Sequence, residues 1–225
     1  MPRPRKPREI EVVDLFCGIG GLSYGLKTSG FRILAGYDLD GTCEYAYEHN
    51  NNASFQYRDI KSVTSSEIKS LYSKDSIKVL AGCAPCQPFS SYSHSKKEKD
   101  PNKYDLLYEF GRLVKEVKPD IVTMENVTQI VNFKEKPVLQ DFINTLTSTG
   151  YEVSVNKVFC PDYGVPQTRK RLVLLASRLG SITLIPPTHT KENYLTVGDV
   201  IRDLPPVKAG EGCPTDPLHR AIAIS

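Results

Sequence analysis

From Ile10 onward, short β-branched runs alternate with stretches whose apolar side chains recur at helical spacing. Ile10 to Phe16 is predicted as a strand, followed by a glycine-rich turn and a helix over Leu22 to Ser29. A second strand, Phe31 to Tyr37, runs into Asp38, and a helical stretch follows from about Gly41 to His49. Thr64 with Glu67 has the capping-box pattern and opens a short helix through Tyr72, ahead of a buried strand from Lys78 to Ala81. Leu106, Leu107, Phe110, Leu113, Val114 and Val117 mark residues 104–117 as a helix packed on a sheet. Ile121 to Met124 is the next strand. Val138, Phe142 and Leu146, with Leu139 and Ile143 beside them, predict a further helix, with Gly150 placed as its C-terminal glycine. Glu152 to Phe159 and Arg171 to Ala176 complete the strands. Such alternation predicts a doubly wound, Rossmann-like α/β sheet, whose ligands bind in the loops at the carboxyl ends of the strands.

After residue 180 prolines break the pattern, and no internal repeat is visible. The predicted organisation is a basic flexible tail over residues 1–9, a cofactor-binding and catalytic domain over 10–180, and a Pro-rich extension over 181–225. With 225 residues and 40% hydrophobic side chains, the chain has enough material for one sizeable core. No apolar run is long enough to span a bilayer, and the basic start lacks the apolar segment of a secretory signal, so a cytoplasmic location without membrane association is expected. Six scattered cysteines suit free thiols in a reducing compartment. The net charge of +3 permits nucleic-acid binding without announcing it, and Arg3, Arg5, Lys6 and Arg8 are compatible with either phosphate contact or a solvated tail.

Candidate chemistry begins at Asp14-Leu15-Phe16-Cys17-Gly18-Ile19-Gly20-Gly21, where three glycines separate a strand from a helix. A backbone there turns tightly and lets a ligand approach closely, which suits a nucleotide-like cofactor. Asp38, about 20 residues beyond the loop at the next strand end, is placed to accept hydrogen bonds from ribose hydroxyls, with Leu39 available to an adenine face. Asp59 and Ile60 follow a third short strand and offer one acceptor and one apolar contact to a purine. The competing reading is a tight turn with solvated aspartates.

Gly82-Cys83-Ala84-Pro85-Cys86-Gln87-Pro88-Phe89-Ser90 follows a buried strand. A cysteine at such a strand end, facing a cationic cofactor, has its nucleophilic thiolate favoured, and Cys86 is the stronger candidate. The pair Cys83 and Cys86 also has the spacing of a redox couple, of half a zinc site or of two core thiols. No second cysteine pair at ligand spacing supports zinc, and no metal is expected. Glu125, in Met124-Glu125-Asn126-Val127, falls on the same sheet edge, where a carboxyl group can face a substrate. Gln167, Arg169 and Arg171 alternate at the opening of the last strand and would share one face. Taken singly these are also a capping acid and a solvated basic face; jointly they describe a site for an electron-rich ring.

Assembled, these segments resemble the DNA cytosine-5 methyltransferase family of bacterial restriction-modification systems. The ordered motifs are the glycine loop from Asp14 to Gly21, Pro85-Cys86-Gln87, Glu125-Asn126-Val127 and Gln167-Thr168-Arg169-Lys170-Arg171, within a resemblance covering roughly residues 10–220. It implies that Phe16, Gly18, Gly20, Gly21, Asp38, Leu39, Asp59, Ile60 and Pro85 contact S-adenosylmethionine, and that double-stranded DNA presents a flipped cytosine. It further implies that Cys86 attacks C6, Glu125 protonates the N3 side, and Arg171 holds O2 with Arg169 in support. The segment from Ser91 to Lys103 is expected to be the lid. Cys17 stands where the family often has alanine or serine. Asp216-Pro217-Leu218-His219-Arg220-Ala221 resembles the stretch just before the family's target-recognition domain, which implies either a truncated chain or one half of a two-chain enzyme whose second chain carries recognition. A noncatalytic subunit and an RNA cytosine-5 methyltransferase are the alternatives.

Overall fold

The computed structural model describes residues 7–85, 105–132 and 137–223. These fall into two compact units, one formed by the described residues up to Val158 with Lys170–Ile185, the other by Phe159–Arg169 with the described residues from Pro186.

The first unit is built on a seven-stranded sheet. Its strands are β1 (Ile10–Leu15), β2 (Arg32–Asp38), β3 (Ser54–Tyr57), β4 (Ile77–Gly82), β5 (Ile121–Asn126), β6 (Glu152–Phe159) and β7 (Lys170–Ser177). The spatial order is β3-β2-β1-β4-β5-β7-β6. β1 pairs in parallel with both β2 and β4, β2 with β3, and β4 with β5, whereas β7 inserts antiparallel beside β5. The chain winds outward from β1 to β3, then returns to place β4 on the other side of β1. That reversal opens the crevice where α/β sheets bind ligands, between the loops after β1 and β4. The doubly wound, Rossmann-like fold expected from the sequence is the one observed.

Helices α1 (Gly21–Thr28), α2 (Glu44–Asn51), α3 (Ser65–Leu71), α4 (Asp105–Val117) and α5 (Val138–Ser148) link the strands. Alternation along β1 divides the core between two faces. Val13 and Leu15 join Leu80, Phe110, Leu113, Val114, Phe142 and Leu146 in the larger cluster. Val12 joins Ile33, Val79, Ala81, Tyr47 and Phe55 in the smaller one. The stretch predicted as one helix from Gly41 starts as a 3-10 turn over Gly41–Cys43, because Asp40 caps it by accepting from the Thr42 amide. Thr64 caps α3 through the Glu67 amide, as its pattern implied.

β7 starts at Lys170, one residue before the run read from Arg171, and Gln167 and Arg169 lie ahead of it rather than at its opening. Pro166 supplies no amide, and Gln167 N–H and Arg169 N–H are spent locally on the carbonyls of Val165 and Gln167, both at 2.7 Å. The alternation argument therefore extends to Arg171 alone, and Gln167 and Arg169 belong to the second unit. That unit also contains elements hidden by the prolines, α6 (Val197–Ile201), β8 (Gly212–Cys213) and β9 (Asp216–Arg220). Thr196 and Asp199 close a reciprocal capping box at the start of α6.

Candidate active site

The glycine loop is held from above by Asp38 and from below by α2. Gly18 N–H donates to Asp38 Oδ2 at 2.8 Å, and Asp40 N–H donates to Oδ1 at 2.9 Å. Each carboxylate oxygen keeps further acceptor capacity for a ligand hydroxyl. Phe16 has φ 58°, left-handed for a non-glycine residue, which takes its ring out of the strand alternation and edge-on to Phe110 at 6.5 Å. Gly20 caps α1 with φ 87°, and a Cβ there would overlap the Asn51 amide and the Tyr47 ring. Gly18 and Gly21, by contrast, face open space at the Cβ position, so a flat ligand can approach their backbone.

At the neighbouring strand ends, Leu39 is 56% exposed, which leaves apolar surface beside Asp38. Asp59 caps the turn Ile60–Ser62 through the Lys61 amide, while Ile60 itself is buried in the larger core cluster. Arg112 of α4 steadies this wall by donating to the carbonyls of Ile60 and Val63 at 3.3 and 3.1 Å.

The loop after β4 is tied to β1 and β5. Cys83 N–H donates to the Leu15 carbonyl at 3.2 Å, and Asn126 Nδ2 donates to the Ala84 carbonyl at 3.1 Å. Burial pushes the Cys83 thiol well above the ordinary range, reinforced by the negative charges of Asp14 and of Glu125, to which it is hydrogen-bonded. That is the reverse of what the leading cysteine of a redox couple needs. Pro85 is exposed; Cys86, Gln87 and the segment from Ser91 to Lys103 lie outside the described residues.

Glu125 lies opposite Val173 in the β5–β7 register, and Arg171, two residues earlier on the same face, reaches it diagonally. Arg171 Nε is 2.6 Å from Glu125 Oε1, with the two side chains 18% and 35% exposed. This pair sits at the carboxyl end of β5, one residue from the Asn126 that holds the cysteine loop. Gln167 and Arg169 are both exposed within the second unit, where the Cys160 amide donates to the Arg169 carbonyl at 2.8 Å.

Ser23, Tyr47 and Asn51 were invisible as site residues in the sequence, and Asp14 was named there only as the first residue of the glycine-loop motif. Asp14, Ser23, Tyr47 and Asn51 form a buried network beneath the glycine loop, with Ser23 Oγ donating to Asp14 Oδ2 at 2.7 Å and lying 3.0 Å from Tyr47 Oη. The only available signal was a Ser, a Tyr and an Asn at helix positions where apolar residues pack. Asn126 gave a comparable hint, a buried amide ending a strand whose other buried positions are Val122 and Met124.

A glycine loop and a strand-end aspartate at the carboxyl ends of a doubly wound sheet, with the Glu125–Arg171 pair on the same edge, are placed where proteins of this fold class bind ligands. Residues 10–217 match the model of the C-5 cytosine-specific DNA methylases, and the chain belongs to that family. It is 49% identical over 210 residues to the type II methylase M.HgiDII of Herpetosiphon aurantiacus, covering 93% of this chain and 59% of the relative. Against the type II methyltransferase M.DdeI of Desulfomicrobium norvegicum the identity is 34% over 212 residues, covering 90% and 50%. A solved structure of a candidate DNA modification methyltransferase from an E. coli prophage superposes with a TM-score of 0.75 at 26% identity, over 90% of this chain and 57% of that one. The chain thus spans 50–59% of the length of these curated relatives. Family membership implies a methyl-donor cofactor. Among the described residues, no helix is long and apolar enough to cross a membrane.

Proposed function

We propose that this chain is the catalytic part of a DNA cytosine-5 methyltransferase that uses S-adenosylmethionine and acts on a cytosine flipped out of double-stranded DNA. The observation that carries the reading is the Glu125–Arg171 pair, set beside the loop that leads to Cys86. Carbon 5 of cytosine is a poor nucleophile, so the ring must first gain electron density. In this reading the Cys86 thiolate adds to C6, its electron pair forming the C–S bond while a proton from Glu125 arrives at N3. Arg171, already aligned with Glu125, donates to O2, and the family resemblance assigns Arg169 and Gln167 supporting roles. The glycine loop fits the cofactor, because Gly18 and Gly21 leave their Cβ positions open and Asp38 keeps acceptor capacity. Phe16, Gly18, Gly20, Gly21, Asp38, Leu39, Asp59, Ile60 and Pro85 would hold it. Bound S-adenosylmethionine supplies an electrophilic methyl group for C5. Loss of the C5 proton to a base then expels Cys86 and restores the aromatic ring.

The test uses DNA containing 5-fluorocytosine, whose fluorine blocks that final elimination, with labelled S-adenosylmethionine. Wild type is expected to form a covalent protein–DNA adduct, and Cys86→Ser is expected to form none. Each is measured alone and with a complementary C-terminal chain, and an RNA substrate is run beside the DNA. An adduct that persists in Cys86→Ser, or that forms on RNA and not on DNA, would overturn the reading.

A further inference from the structure

The end of β1 carries a group for which the reaction above has no use. Asp14 is fully buried, at 0% exposure, on the face of the sheet covered by α1 and α2. Its Oδ2 accepts from Ser23 Oγ at 2.7 Å, and its Oδ1 has no hydrogen-bond partner among the described residues. Tyr47, whose hydroxyl lies 3.0 Å from Ser23 Oγ, packs its ring against the backbone of Gly20 and Gly36. Asn51 Nδ2 donates to the Tyr47 carbonyl at 2.9 Å and leaves its own Oδ1 unpartnered. The carboxyl group is therefore wired into the floor of the glycine loop and is not saturated by it.

Burial pushes the Asp14 carboxyl up to about 7, with the Asp38 charge adding to the rise and the Ser23 hydroxyl and amide opposing it. Among the described residues, the titratable groups around it are Cys17 on its own loop, Asp38 at the end of β2, Tyr47 on α2 and Cys83 after β4, and none of these is a cation; α1 contributes neutral Ser23. Burial raises both thiols and the phenol, so they remain neutral through the physiological range. An ionised carboxyl with one bare oxygen is costly in such an interior until a positive charge arrives nearby.

We propose that Asp14 is a buried counter-charge for the cofactor, shedding its proton to solvent when a sulfonium ligand occupies the glycine loop and regaining it when the neutral thioether product replaces that ligand. The inference rests on the cofactor reading above. It makes Asp14 a positioning residue that discriminates between methyl donor and spent product by charge alone.

Calorimetric titration of the full chain in buffers of differing ionisation enthalpy counts the protons released. The probes are S-adenosylmethionine and S-adenosylhomocysteine, which share every ionisable group and differ in the sulfonium methyl. At pH 6 the sulfonium ligand is expected to release about one proton more than the thioether. The affinity ratio in its favour should rise about tenfold between pH 6 and pH 8. Asp14→Asn should abolish both effects. Ser23→Ala, which removes a donor to the carboxylate and leaves the core intact, should move the release to higher pH. Equal proton release by the two ligands, or release unchanged in Asp14→Asn, overturns the proposal. Should Asp14→Asn fail to fold, an unmoved profile in Ser23→Ala does the same. Absence of binding by either ligand would instead remove the cofactor reading itself.

Discussion

Arg171 and Glu125 meet diagonally across the one antiparallel pairing that β5 makes, at 2.6 Å, with neither side chain fully exposed. A 3-10 turn or a parallel neighbour would not present them this way. The inserted β7 brings its first residues beside the carboxyl end of β5, where the parallel strands deliver their functional loops. Arg171→Ala leaves Glu125 without this partner and removes the donor aligned with it. Adduct formation on 5-fluorocytosine DNA is expected to fall by about 100-fold or more, within the usual range for losing a positioned acid–base partner. Arg171→Lys should recover little, since a point charge does not reproduce the fork of donors. Single-turnover rates measured at saturating DNA would show whether the loss lies in chemistry.

The glycine loop offers a sharper contrast between adjacent residues. Gly20→Ala requires a side chain at φ 87° against Tyr47 and Asn51, whereas Gly21→Ala meets nothing within 4 Å in an ordinary helical conformation. We expect Gly20→Ala to lose about 1–3 kcal/mol of folding stability and most cofactor affinity. Gly21→Ala should be neutral or slightly stabilising, through its reduced unfolded-state entropy. Urea denaturation of the two variants side by side decides; equal losses would show that the floor beneath Gly20 yields.

Much of this arrangement was legible in the sequence, for physical reasons. β1 and β4 are short, mostly apolar runs buried on both faces over most of their length, which few structures other than a central parallel sheet can satisfy. The three glycines and Asp38 were legible because a backbone-to-ligand approach needs those residue types in that order. The network of Asp14, Ser23, Tyr47 and Asn51 was not, because its significance comes from a contact between α1, α2 and β1 that no local pattern encodes. α6 and the β8–β9 hairpin were lost among prolines, although the Thr196–Asp199 box was present to be read. Gln167 and Arg169 were grouped with Arg171 at the opening of β7, because their alternation outweighed the missing amide of Pro166, although the strand run itself was read from Arg171.

Asp14 also makes a claim on stability. Its folded-state carboxyl is raised from 3.8 to about 7, so the folded protein holds a proton that the unfolded chain has already lost between those values. The resulting stabilisation is complete below about pH 4, declines as pH rises, and is gone above about pH 7. It amounts to roughly 4 kcal/mol at most. The stability difference between wild type and Asp14→Asn, measured by urea titration in steps from pH 4 to pH 8, should follow that decline. A difference independent of pH would mean that Asp14 keeps an ordinary carboxylate and that the floor of the loop is better solvated than its burial implies.

Asn126 gives the last test, because it couples the acid strand to the cysteine loop without touching substrate in the proposed chemistry. Its Nδ2 holds the Ala84 carbonyl at 3.1 Å, and its Oδ1 takes the Val127 amide at 2.8 Å, so one amide group fixes both the loop before Cys86 and the turn after Glu125. Asn126→Asp keeps the acceptor and loses the donor; Asn126→Ala loses both and leaves the Ala84 carbonyl and the Val127 amide to find new partners. Each variant is expected to lose about 1–3 kcal/mol of stability, the usual cost of stranding buried polar groups. The informative quantity is the rate of adduct formation relative to cofactor affinity. A residue that positions Cys86 should lower the rate at least tenfold while leaving S-adenosylhomocysteine binding within about twofold, because the glycine loop and Asp38 make no hydrogen bond to Asn126. Parallel losses in both would assign Asn126 to the general integrity of the sheet edge.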